Sequence, residues 1–138
     1  MSLNHAQQNA VAATLMQLEL ALTEIERLLD GPVSGITYTT EMNFGSVTIQ
    51  HIRDQCTDVR DHIADVVAAF ELPRQHQDSR RMIAAEMSLA WVSLEEIRPR
   101  RLRRYGAVDP TLSATIEPRL DHLAQLVRAI QVLASEGE

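Results

Sequence analysis

The sequence predicts an all-α protein, an up-and-down four-helix bundle, and three observations predict it. Apolar residues make up 45% of the 138-residue chain but aromatics only 4%, so Leu, Ile, Val and Ala have to fill the core, a composition that favours helices. Apolar residues recur at alternating spacings of three and four in four separate blocks, which is the heptad pattern. Glycine, proline and aspartate punctuate the gaps between the blocks. One domain is expected at this length, and a chain of this size buries about two-thirds of the surface that its unfolded form exposes.

The first block, Val11, Leu15, Leu18, Leu22, Ile25 and Leu29, ends at Asp30-Gly31-Pro32, where glycine and proline stop a helix just past its last periodic residue. The connection that follows, Asp30 to Gly45, exceeds the usual link between helices. Its centre, Ile36-Thr37-Tyr38-Thr39-Thr40, is β-branched and extended in character. Ser46 is the expected N-cap of the second and clearest helix, whose seam runs through Ile49, Ile52, Cys56, Val59, Ile63, Val66 and Phe70. Asp78 is the expected cap of the third, with Ile83, Met87, Ala90, Leu94 and Ile97. Pro99 removes a donor and pushes Arg98 out of the helical region, so the third helix stops or kinks there. The fourth carries Ile116, Leu120, Leu123, Val127, Ile130 and Ala134. Asp109-Pro110 reads as its cap and first residue. Pro118 predicts either a short lead-in helix or a kink. Helices of about 20 to 25 residues span about 30 to 38 Å, and seams of this period pack at shallow angles.

One sequence feature points outward. Arg98, Arg100, Arg101, Arg103 and Arg104 stand within seven residues, just before Tyr105-Gly106. Without those five, eight basic residues face nineteen acids, so the cluster is a basic island on an acidic chain. As structure, cations at the end of the third helix complement its dipole and pair with Glu95 and Glu96 one turn earlier. As function, guanidinium groups beside Tyr105 grip an acidic protein surface or a small anion bidentately. The net charge of −6 argues against nucleic acid, whose binders carry a basic domain as their footprint.

The third helix has a second apolar stripe, Met82, Ala85, Leu89 and Val92, with Trp91 between it and the seam. From Met82 to Leu94 only Glu86 and two serines interrupt an apolar cylinder. A helix apolar all round has to be buried all round. Either it is central in a monomer or its second stripe meets a copy of itself, and a twofold homodimer is the commonest closed form. Ile36 and Tyr38 of the long connection are candidates for the same interface.

Catalytic and metal chemistry finds little to stand on. Asp58 and His62 have a metal-ligand spacing on the second helix, but Asp58, with His51, Asp54 and Asp61, falls away from the apolar seam and His62 beside it, so most of the set faces water, as a solvated acidic face does. The seams carry no Asp, Glu or His, and the chain has no Glu-x-x-His. Only Asp58 and Asp61 have the carboxylate step that all-helical nucleotide pyrophosphohydrolases use in pairs, and no second pair accompanies them. Cys56, the single cysteine, lies on a seam and permits no internal disulfide, which suits a reducing compartment. No catalytic residue, cofactor or metal is therefore assigned. With no basic stretch leading into an apolar run and no apolar segment of membrane-spanning length, the expectation is a cytoplasmic protein without membrane contact. The expected role is a self-associating interaction or scaffold module. A small-molecule site between helices, with Tyr38, Asn43, Glu86, Arg98 and Tyr105 as polar candidates, is the alternative reading. A nucleotide or nucleic-acid binder acting through the arginines is a third.

Overall fold

The computed structural model describes residues 2–137. Helix dominates it. In chain order the elements are α1 (His5–Leu29), β1 (Val33–Ser34), β2 (Thr39–Thr40), α2 (Ser46–Phe70), α3 (Ser79–Glu96), α4 (Pro99–Leu102), a 3-10 turn (Arg103–Tyr105) and α5 (Pro110–Glu136). The chain divides into two compact units, Met1–His76 and Gln77–Glu138, and each is built on one antiparallel pair of long helices.

In the first unit α1 opens on a reciprocal cap. Asn4 Oδ1 accepts from the Gln7 N–H at 2.8 Å, and Gln7 Oε1 accepts from the Asn4 N–H at 3.0 Å, which satisfies two donors that a helix start otherwise leaves open. The Asp30–Gly45 connection folds into a small hairpin in which Val33 pairs with Thr40 and Ser34 with Thr39. Gly35 begins its turn because the Tyr38 ring lies where a β-carbon would stand. Helix α2 is capped by Gly45, one residue before the expected Ser46, so no side chain closes its first turn. It ends where Glu71 adopts a left-handed φ of 51°. The Leu72 N–H then turns back to the Val67 carbonyl at 3.1 Å, and the Leu72 side chain is buried.

Leu22, Cys56 and Ile63 form the centre of the α1–α2 pair, with Leu15, Ile52 and Val59 packed around them. Successive residues turn by about 100° around a helix, so each helix has one flank on either side of this seam. One flank is polar and bonded: Arg60 reaches Glu26 at 2.5 Å and Arg53 reaches Asp30 at 2.9 Å. The other flank carries Leu18, Ile25 and Leu28, all exposed. Leu18 and Ile25, expected in the core, thus lie beside it.

The second unit pairs α3 with α5. Their backbones approach more closely than those of α1 and α2, because Ala84, Ala90, Ala124 and Ala134 are half-buried along the seam and small side chains shorten the distance between helix axes. The seam of α5 keeps the expected Ile116, Leu120, Val127 and Ala134, but Ala124 and Gln131 face α3 in place of Leu123 and Ile130, which are exposed. Ile83 and Ile97 of α3 are displaced outward in the same way. Here too one flank is polar. Gln131 Nε2 donates to Ser88 Oγ at 2.7 Å, and Arg80 Nη1 donates to the Ser135 carbonyl at 3.4 Å. Helix α5 runs from Pro110 through Pro118 to Glu136 as one element, with no separate lead-in helix. Pro118 deprives a single carbonyl, that of Ala114, of its intrahelical donor.

Leu22→Ala removes the side chain at the centre of the α1–α2 seam and should lower stability by about 2 kcal/mol. Leu18→Ala on the open flank should cost much less. Urea unfolding followed by circular dichroism compares the two.

Candidate interaction site at the arginine turn

Helix α3 ends at Glu96 because Arg98, obliged by Pro99 to leave the helical region, has φ −61° and ψ 148°. Pro99 then serves as the first residue of α4, a position that needs no N–H donor. The 3-10 turn carries Arg103, Arg104 and Tyr105, and Gly106 leaves it at φ 144°, a conformation closed to residues with a β-carbon. Two prolines and one glycine therefore fold the basic tract into a tight turn between α3 and α5.

The turn sorts its five arginines. Arg98 is drawn inward, its side chain only 13% exposed, with Nη1 2.6 Å from Asp121 and 2.8 Å from Glu117 and Nη2 3.2 Å from Glu95. Hydrogen bonds to Asp121, then to Glu117, raise its pKa well above the ordinary arginine value, partial burial opposing them and Glu95 adding to them. Arg98 thus keeps its charge over the whole pH range in which a protein stays folded. Arg104 pairs with Glu96 and lies 5.6 Å from the centre of the Tyr105 ring. Arg100, Arg101 and Arg103 are exposed, and among the described residues none of the three side chains has an ion-pair or hydrogen-bond partner. The basic island resolves into two arginines that brace the turn and three that face solvent. Glu117 and Asp121, the distant partners of Arg98, were not foreseen in the sequence. The available signal was their i, i+4 spacing near the start of the last helix, antiparallel to the third.

Beside the turn lies an open recess of about 390 Å³, walled by Pro99, Pro110 and Pro118, with Arg103, Ser113 and Glu117 as its polar members. Three prolines make its walls stiff. Glu117 is already engaged with Arg98, which leaves Arg103 and Ser113 as its free polar groups.

The other candidates are dispersed. Met82, Leu89 and Val92 lie exposed on the side of α3 away from α5, Leu89 at 65%, with Ala85 among them. Trp91 stands at the edge of the α5 seam and is also exposed. Ile36, fully exposed, tips the β1–β2 turn, with Tyr38 beside it. On α2 the His62 Nδ1 lies 2.9 Å from the Asp58 carbonyl. Among the described residues no group of three metal-ligating side chains converges, and no helix is long and apolar enough to cross a membrane.

No family model, curated protein or solved structure matches this chain. The geometry alone carries the functional reading.

The division among the arginines predicts unequal effects on stability. Arg98→Ala should lower the midpoint of thermal unfolding by several degrees, because it leaves three carboxylates facing one another at the α3–α5 junction. Arg100→Ala and Arg101→Ala should leave it unchanged within error. Differential scanning fluorimetry at neutral pH makes the comparison.

Proposed function

We propose that this chain is a non-catalytic helical interaction or scaffold module of the cytoplasm that self-associates as a homodimer. An up-and-down four-helix bundle is the closed form proposed for its four long helices, because a helix pair alone leaves an apolar flank open. The observation that carries this reading is the outer stripe of α3. Met82, Leu89 and Val92 are exposed in a row on the side away from α5, and a row of that kind on a long helix is what a partner helix covers. A second copy is the simplest partner, since a twofold axis brings the same stripe to itself. The arginine turn, with three unpaired guanidinium groups and Tyr105, is the contact surface for an acidic partner or anion.

A small-molecule-binding protein is the second reading, favoured by the proline-walled recess with Arg103 and Ser113 at its edge. Native mass spectrometry separates the two. Twice the chain mass supports the module, and excess mass retained by each chain supports the binding protein.

Leu89→Glu combined with Val92→Arg should convert a dimer to a folded monomer, read as a halved mass by light scattering with helical circular dichroism retained. An unchanged mass in the folded variant would remove the α3 stripe as the interface.

A further inference from the structure

We infer that the three free arginines of the turn dock on the acidic outer face of α2 in a second copy of this chain. The inference rests on the self-association proposed above and names the partner surface of the same site. Asp54, Asp58, Asp61 and Asp65 are all exposed and follow one another at spacings of four, three and four. At about 100° per residue they occupy one narrow stripe on the side of α2 opposite the buried Cys56, and at 1.5 Å per residue the stripe is about 16 Å long. The basic residues of α2 do not neutralise it, because Arg53 and Arg60 point along the α1–α2 flank to Asp30 and Glu26. Asp54 accepts one hydrogen bond, from Gln50 Nε2 at 2.9 Å. Asp58, Asp61 and Asp65 have no side-chain partner among the described residues. His51 and His62, also exposed, border the stripe.

Each surface therefore presents what the other lacks. Three or four carboxylates in a row match three guanidinium groups on a tight turn, and a planar guanidinium takes a carboxylate through two parallel hydrogen bonds. Neither α2 nor the turn is an apolar surface, so the contact differs in kind from the α3 stripe. Exposed ion pairs contribute little affinity singly; together they set orientation and speed association, and salt screens them. In a twofold dimer the contact occurs twice. A nucleic acid or a free anion would use the same arginines and make no use of the α2 carboxylates, which is where the experiment divides them.

The experiment uses the full chain at pH 7.5 and compares sedimentation of three proteins at low and high salt. One variant carries Arg100→Glu, Arg101→Glu and Arg103→Glu. The other carries Asp58→Arg, Asp61→Arg and Asp65→Arg. Each alone should dimerise at least about tenfold more weakly than the wild type at low salt. An equimolar mixture should recover most of that loss as a mixed dimer, because both of its contacts then join opposite charges, one the native pair and the other its reversal. Wild-type dimerisation in both variants would overturn the inference and leave the α3 interface standing. Loss in the arginine variant alone, or a mixture that recovers nothing, would overturn it too, since the acidic surface would then lie elsewhere. A monomeric wild type would instead remove the self-association on which the inference rests. Should charge reversal lower helicity, the Arg→Gln and Asp→Asn versions read the same comparison.

Discussion

Two antiparallel helices cannot enclose a core. Each buries only the stripe that faces its neighbour, and the two flanks of the pair stay open unless something else covers them. Both units of this protein are built under that constraint and meet it in the same way. On one flank, long polar side chains lace the helices together: Arg60 with Glu26 and Arg53 with Asp30 in the first pair, Gln131 with Ser88 and Arg98 with Glu117 and Asp121 in the second. On the other flank, large apolar side chains remain exposed, among them Leu18, Ile25 and Leu28 in the first pair and Leu123, Leu126 and Ile130 in the second. A surface that uses polar bonds to close one side and leaves the other apolar is directional. It says which side of each pair water was meant to keep.

The arginine tract shows how one composition serves two purposes. Arg98 has three carboxylates within 3.2 Å because the break at Pro99 ends α3 opposite the first turns of α5. Arg104 is tied to Glu96 and rests by Tyr105. These two hold the turn in a defined shape, and that shape displays the other three. The brace comes from Glu95 and Glu96 nearby, as the sequence suggests, and from Glu117 and Asp121 on α5; the display comes from having no partner among the described residues. Charge counting along the chain cannot distinguish the two, since all five residues are arginine within seven positions.

The helices were legible in the sequence because their periodicity and punctuation agree. The Asp78 cap, the Asp109-Pro110 start and the stop at Gly31-Pro32 all lie at observed helix ends. The faces were less legible. In α5 the sets Leu123, Val127, Ile130 and Ala124, Val127, Gln131 share the same three-and-four spacing, and hydrophobicity prefers the first. Close approach of two alanine-rich helices selects the second, and the polar Gln131 is accommodated by Ser88 across the seam. Capping by Gly45 in place of Ser46 was invisible for a related reason, because a glycine leaves no side chain to identify the cap. The candidate site was legible as a cluster and illegible as a division, for two of the three carboxylates that claim Arg98, Glu117 and Asp121, come from another helix.

The polar contacts along α3 and α5 also act as a ruler. Arg80 meets Ser135 near one end, Ser88 meets Gln131 in the middle, and Arg98 meets Glu117 and Asp121 at the other end. Along this seam alanines alternate with Met87, Leu94, Leu120 and Val127, and small side chains by themselves grip a particular alignment only weakly. A slide of one heptad would set Gln131 against Arg81 or Glu95 and carry Arg98 away from both of its distant carboxylates. Only one alignment satisfies all three marks, so the seam supplies the adhesion and the polar marks choose where along it the two helices stop.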